Sequence, residues 1–384
     1  MIWKKRMNMA LNAILIKKQI RKKIIITRKK NQCVKIKYQN YCNFSSNDYL
    51  GLSQDSRVIN AWKKGADIYG LGSGSSTYMT GYTDAHAKLE EELADWLGFS
   101  KAILFISGFT ANETIIASLV KKKDCVFADR LTHTSLLYTA HISHANLYRF
   151  KHNQVDDLIK KYNNFYGNAN IIITEGVFSM DGDNSPLLEL QKFSKNNKSL
   201  LIVDDAHGIG TIGLNGRGSC WDQHVKPDIL IITFGKAFGI SGAAVLCNAD
   251  IAKYLSQFSR HLIYSTSMPP AQAYAIRIAL HCIQEGDQLR NKLNNNIKYF
   301  RNRVKKLPFL FKKSHTAIQP LIIGDNHQAT KLSLQLKTKN ILVTEIRPPT
   351  VPIGSARLRI TLNATHSKKD INQLLDRLYE FSIK

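Results

Sequence analysis

The chain has 384 residues, 44% hydrophobic and 22% charged, enough for a sizeable core arranged as one large domain with a smaller one attached. No apolar run approaches the roughly 18 residues of a membrane span, and six scattered cysteines without a CxxC pair fit a reduced, cytoplasmic interior rather than a disulfide scaffold. The balance of 54 Lys and Arg against 29 Asp and Glu leaves a formal charge of +25.

That charge is uneven: no acidic residue precedes Asp48, while the same segment carries 13 Lys and Arg. An organelle presequence, a contact with nucleic acid or anionic lipid, and a compositional drift towards Lys, Asn and Ile all account for it. Drift is favoured. The same richness recurs at Lys121–Lys123 and Asn294–Asn296, without the interleaved aromatics of a single-strand binding groove. Neither a nucleic-acid nor a membrane partner is expected.

In chain order, residues 4–24 read as a basic amphipathic helix with Met7, Leu11, Ile14 and Ile20 near one face, and Val34–Tyr38 as a short strand. Residues 43–51 form a polar, turn-rich loop. Thr83 or Asp84 caps a helix that ends at Gly98, with Leu89, Leu93, Trp96 and Leu97 on its apolar side. A strand at 102–106 runs into Ser107-Gly108-Phe109-Thr110 and a helix through Val120. A Ser-Gly turn opening a helix offers free backbone N–H groups and a positive dipole end suited to a phosphate, though a plain helix cap reads the same way. Further strands are expected at 125–127, 146–149, 171–174, 200–204, 229–233 and 243–247, with helices between most of them. His133 stands at the start of one such helix. Residues 171–175 end near Ser179-Met-Asp-Gly-Asp183. After about residue 285 come a long basic helix, strands near 318–323 and 356–361, and a closing helix. The pattern reads as α/β with a mainly parallel sheet, divided into an N-terminal helix and strand segment (1–45), a large domain (46–285) and a small C-terminal domain (286–384).

Two strand ends carry the chemistry. Residues 228–239 hold an apolar run that ends at Thr233 and places Lys236 on a tight turn near glycines. A partly desolvated ammonium loses its proton more easily and can attack a carbonyl, as a Schiff-base lysine must. A solvated charge is the commoner fate of a lone lysine. Upstream, Ser199-Leu-Leu-Ile-Val-Asp204-Asp205-Ala-His207-Gly208 is a second apolar strand that ends in carboxylates and an imidazole. Ligands of open α/β sheets lie outside the carboxyl ends of the strands, so Asp204, His207, Thr233 and Lys236 can converge on one crevice. A carboxylate for a pyridine nitrogen, an imidazole for a ring oxygen and a lysine for an imine describe pyridoxal 5'-phosphate. A structural ion pair or a metal site is the alternative for Asp204 and His207. No metal is expected, because no second His or Cys pair lies nearby at ligand spacing. Gly70-Leu-Gly-Ser-Gly-Ser-Ser76 lacks the preceding strand of a dinucleotide fingerprint, and no Gly-x-Ser-x-Gly elbow exists. Arg347-Pro-Pro-Thr350-Val-Pro352 reads as a stiff, extended segment able to hold Arg347 and Thr350 towards a carboxylate, or as a simple edge connection.

With these pieces in place the sequence resembles the α-oxoamine synthases, which are fold-type I pyridoxal-phosphate enzymes. The matching stretches are residues 43–52, 105–109, 174–183, 203–208, 233–239, 261–270 and 347–352, so the likeness covers nearly the whole chain. The Arg347–Pro352 segment favours the branch that condenses L-alanine with a pimeloyl thioester, on acyl carrier protein or coenzyme A, over glycine-using branches such as the glycine C-acetyltransferases. The resemblance implies that Lys236 binds the cofactor aldehyde, Asp204 the pyridinium nitrogen and His207 the ring hydroxyl. It implies that His133 stacks on the ring and positions substrate, and that Gly108 and Phe109 lie against the phosphate or ring. Ser179 and Thr233 enter as hydroxyl contacts, Arg21 and Thr350 as substrate contacts, and Arg359 as the receiver of the amino-acid carboxylate. It further implies a homodimer in which Tyr264–Thr266 reaches the neighbouring subunit. Three features depart from the family pattern: Ala237 stands where a glycine is usual, the 77–80 loop tip is unusual, and the N-terminal segment is more basic.

Overall fold

The computed structural model describes residues 1–16, 23–30, 32–165 and 167–382. Among the described residues the strands form three sheets. The central one holds β1 (Lys101–Phe105), β2 (Cys125–Asp129), β3 (Asn146–Phe150), β4 (Asn170–Glu175), β5 (Leu200–Asp204), β6 (Ile229–Thr233) and β7 (Ala243–Cys247). Their order is β1-β7-β6-β5-β4-β2-β3, with β7 antiparallel to both its neighbours and the other pairings parallel. The sequence expectation of a mainly parallel α/β sheet is therefore met.

β2 and β4 to β7 are buried on both faces, which is why they read as mainly apolar runs rather than alternations, whereas β3 at the sheet edge is partly exposed. Successive residues nonetheless serve different cores. Ile172, Leu201, Val203, Leu230 and Ile232 join one apolar cluster, and Ile171, Ile173, Ile202, Ile229 and Ile231 the other. Helix Gly108–Leu119 covers the second face through Ala111, Ile115 and Ile116. On the first face, helix Ser56–Tyr69 packs so closely on helix Pro270–Gln284 that a Cβ on Gly65 would lie 2.8 Å from the Ala271 Cα. The helix Asp84–Leu97 starts where Thr83 was expected to cap it, the Thr83 N–H donating to His86 Nδ1 at 3.1 Å, and stops at a left-handed Gly98.

Outside the central sheet, Arg28–Lys30, Cys33–Ile36 and Gln39–Asn43 form a meander whose last strand pairs in parallel with Ile341–Leu342. The N-terminal strands are thus tied to the C-terminal part of the chain. There, Ile318–Gly324 and Ala356–Thr361 make the centre of a third sheet. The short strand closes at Ile36, not Tyr38, because Lys37 turns into the left-handed region (φ 54°) and leaves Tyr38 exposed. The first helix runs Ile2–Ile16, and Met7, Leu11 and Ile14 are exposed on it; Ile20 and Arg21 lie outside the described residues.

Candidate active site

Three adjacent parallel strands end side by side: β4 in Glu175, β5 in Asp204 and β6 in Thr233. Glu175 and Asp204 are register partners, so both carboxyls leave the same face of the sheet. The loop from β6 to β7 then delivers Lys236. It is pinned by Phe234 N–H to the Gly242 carbonyl and Ile240 N–H to the Phe234 carbonyl, both at 2.9 Å. Gly239 (φ 73°) packs so tightly on the 52–53 backbone that any Cβ there would overlap it. Ala237, the departure from the family pattern, buries its methyl fully in the first core.

A cavity of about 180 Å³ results, lined by Gly108, Phe109, Asn112, His133, Glu175, Asp204, His207, Thr233 and Lys236. Seven of these nine were expected from the sequence. Lys236 Nζ lies 2.7 Å from His207 Nε2, and Tyr49 Oη lies 2.6 Å from His207 Nδ1. An ammonium can only donate. His207 therefore accepts at Nε2, and its Nδ1–H donates to Tyr49. Tyr49 passes the chain to Asn47 Oδ1 at 3.3 Å, which also accepts from Arg359 at 3.0 Å. One hydrogen-bonded line thus joins the lysine to the arginine. Burial pushes the Lys236 ammonium down to about 8, and burial followed by the Lys236 charge holds the His207 imidazole neutral.

Asp204 receives two donors, Asn112 Nδ2 at 2.8 Å and the Ala206 N–H at 3.0 Å. Asn112 Nδ2 also reaches Ser135 Oγ at 2.9 Å, which stands 2.7 Å from His133 Nδ1. The Ser135 N–H donates to the same His133 nitrogen at 3.3 Å, and desolvation of the ring lowers that imidazole's proton affinity below the ordinary value. Gly108 opens helix Gly108–Leu119, where Ser107 Oγ takes the Thr110 N–H at 3.1 Å. The Gly108 and Phe109 N–H groups have no partner within the helix and lie at its positive dipole end.

Arg359 is buried on Ala356–Thr361, donating to the Ser179 carbonyl at 2.6 Å and to Thr361 Oγ1 at 3.0 Å. Ser179 is tied by its backbone to Arg359 and, through its N–H, to Glu175 Oε2 at 3.2 Å. Thr350 is not brought into the cavity. Its N–H closes a turn on the Arg347 carbonyl at 3.1 Å, so residues 347–350 fold back instead of extending, and Thr350 is exposed. Arg21 lies outside the described residues. Asn47, Tyr49, Asn112, Ser135 and Glu175 had no assigned role in the sequence reading. The only cue was local: Asn112 lies four residues into the helix opened by the Ser-Gly turn, and Glu175 ends a strand.

A larger cavity of about 430 Å³ lies elsewhere, lined in part by Tyr78, Tyr82, Glu90, Ile106, Leu262 and Thr266, and holds none of the convergent groups above. Among the described residues, His152, Asp181 and Asp183 bring ligand atoms within 4.8 Å of one another. Their charges are already matched: Asp181 by Arg357 and Lys312, and His152 between Asp129 at 3.0 Å and Asp183 at 2.8 Å.

Comparison with known proteins decides the family. The sequence matches the family described as aminotransferase class I and II over residues 39–378. It is 55% identical over 380 residues to the 8-amino-7-oxononanoate synthase of Buchnera aphidicola subsp. Baizongia pistaciae, covering 99% of each chain. The chain belongs to the 8-amino-7-oxononanoate synthase family. It is accordingly a pyridoxal-phosphate-dependent acyltransferase of biotin biosynthesis, with the fold-type I architecture. The solved 8-amino-7-oxononanoate synthase of Francisella tularensis is 33% identical, with a TM-score of 0.78 over 89% of this chain and 98% of that one. A serine palmitoyltransferase from S. paucimobilis, solved with a bound pyridoxal-phosphate adduct, is 26% identical with a TM-score of 0.92, covering 99% and 98%. The backbone frame is thus shared between enzymes named for different products. No helix among the described residues is long and apolar enough to cross a membrane.

Proposed function

We propose that this enzyme condenses L-alanine with a pimeloyl thioester, carried on acyl carrier protein or coenzyme A, and releases carbon dioxide, free carrier and 8-amino-7-oxononanoate. The observation that carries the reading is Lys236, half-buried just beyond a strand end and 2.7 Å from a neutral His207 in a cavity that also holds Asp204. The cavity fits the cofactor on its own chemistry. It offers a twice-supported carboxylate, a neutral imidazole at His133, a helix N-terminus, and two buried side-chain atoms, Asn112 Oδ1 and Glu175 Oε1, without a partner among the described residues.

In this reading Lys236 would bind the cofactor aldehyde, Asp204 the pyridine nitrogen and His207 the ring oxygen. Gly108 and Phe109 would lie against the phosphate or ring through the helix end, with Thr233 and Ser179 as hydroxyl contacts. His133 would cover the ring and help hold substrate. When bound, the cofactor supplies an electron sink for a carbanion at the amino-acid Cα.

The side chains do the rest. Arg359 is the buried cation for the alanine carboxylate. Lys236 takes the Cα proton, and its depressed pKa makes the free amine accessible near neutrality. The carbon then attacks the thioester carbonyl, the carrier thiol leaves, carbon dioxide is lost, and the Lys236 ammonium returns one proton to the same carbon. His207, linked through Tyr49 to Asn47, keeps the lysine nitrogen aligned. Arg21 and Thr350 are assigned as substrate contacts. We assign the working unit as a cytoplasmic homodimer with Tyr264–Thr266 facing the neighbour, in keeping with the exposed Tyr264 ring. Borohydride trapping tests the anchor: the adduct should form on Lys236 and be absent in Lys236→Ala, whose turnover should vanish. Thioester consumption with alanine but not glycine tests the substrate, and the reverse preference would assign a glycine-using relative.

A further inference from the structure

We infer that Glu175 is a proton-bearing carboxyl that donates a hydrogen bond through Oε1 to an oxygen of the group bound in the cavity. The inference rests on the cofactor-binding reading above and extends it to a residue that reading leaves without a role.

The argument starts from the sheet. Glu175 ends β4 and Asp204 ends β5, and the two are register partners on adjacent parallel strands, whose spacing is about 4.8 Å. Both are buried, at 3% and 7% exposure, and both line the same cavity. Two carboxylates so close, out of water, do not both ionise; one keeps a proton. Their surroundings decide which. Asp204 has a donor for each oxygen, Asn112 Nδ2 for Oδ2 and the Ala206 N–H for Oδ1. Among the described residues Glu175 has one donor, the Ser179 N–H to Oε2, and its Oε1 has no partner. Hydrogen bonds to a carboxylate favour the charged form. The proton is therefore placed on Glu175, whose carboxylate the protein supports less. Burial, and after it the Asp204 charge, push the Glu175 carboxyl well above the ordinary range; Lys236 opposes them without reversing the direction. Oε2 already accepts from Ser179, so the proton belongs on Oε1, which is left to donate into the cavity. An orphaned buried oxygen is unfavourable until a partner arrives. A bound oxygen atom supplies one, whether on the cofactor ring or on the amino acid.

Glu175→Gln and Glu175→Leu test this. Gln keeps an N–H donor and is uncharged, as the inferred acid is. In titrations of visible absorbance, the lysine-bound cofactor chromophore of E175Q should change protonation within about 0.3 pH of wild type. Cofactor affinity should stay within threefold. E175L should lose at least tenfold in affinity for the cofactor, placing the acceptor on the ring, or for alanine alone, placing it on the substrate. In wild type near pH 7.5 the infrared carbonyl band of a protonated carboxylic acid should be present, and E175Q should lack it. A chromophore pKa that falls by one or more in E175Q would mean that an anion had been removed, overturning the inference. So would absence of the infrared band, or wild-type affinity for both ligands in E175L. Failure of wild type to form the chromophore at all would instead overturn the cofactor-binding reading.

Discussion

His152 offers the most quantitative test of the structure. Its ring bridges Asp129 on β2 and Asp183 in the 176–184 loop at 3.0 and 2.8 Å, packs its edge on Phe178, and is 21% exposed. Burial opposes its protonation, but the two carboxylates overcome that and push it from the ordinary 6.5 up to about 9. At 1.36 kcal/mol per tenfold change in proton affinity, the shift is worth about 3 kcal/mol of folding stability. The sign follows from the direction. Protonation is favoured in the folded state, so the contribution is fully present below about pH 6.5 and is lost as pH rises through 9. His152→Gln keeps a polar side chain of similar size but cannot carry the charge. It should cost about 3 kcal/mol at pH 6 and under about 0.5 kcal/mol at pH 9.5. For 384 residues the unfolding entropy is about 0.8 kcal/mol per degree, so melting should drop by about 4 °C at pH 6 and hardly at pH 9.5. Differential scanning fluorimetry of the cofactor-loaded protein at the two pH values gives the comparison. An equal loss at both would show that His152 acts by packing alone and that no imidazolium bridges the two acids.

Other outcomes follow from single contacts. Arg359→Lys removes the fork that reaches Ser179, Asn47 and Thr361 together. One lost charge-assisted bond of about 1.5–3 kcal/mol should raise KM for the amino acid roughly ten- to hundredfold, with a smaller change in kcat; a kcat defect at unchanged KM would contradict its role as carboxylate receiver. Tyr49→Phe strands His207 Nδ1 in a buried site at a cost of about 1–3 kcal/mol, so kcat should fall at least fivefold with an unchanged circular dichroism spectrum. Wild-type kcat in that variant would mean the Lys236–His207–Tyr49 line has no part in turnover. Gly208→Ala places a methyl on the Asp205 carboxylate and Ser219 hydroxyl directly after His207. Overpacking should lower stability by about 1–3 kcal/mol and weaken cofactor retention, measurable by melting and by dialysis; an unchanged melting temperature would show that the Asp205–Ser219 contact yields.

The sequence by itself determined the strands, several helix ends and the reactive groups at the strand termini, because these signals are local. An apolar run buried on both faces reads as a parallel strand, and Thr83 and Gly98 announce the helix between them. Asp204 and Thr233 were legible because each ends such a run, and His207 and Lys236 because each follows one three residues later. Only the tertiary structure decided which groups support them. Asn112 reaches Asp204 across 92 residues, Tyr49 reaches His207 across 158, and Arg359 reaches Asn47 across 312. Nothing within a helix or loop marks an Asn or Tyr for such a partner. The same holds for Thr350, whose proline-rich neighbourhood reads as extended until the Arg347 carbonyl captures its N–H. Glu175 is the clearest division between the two. A strand-terminal carboxyl is visible in the sequence, but its proton depends on Asp204 lying opposite it, and that pairing is a property of sheet register, which local sequence does not carry.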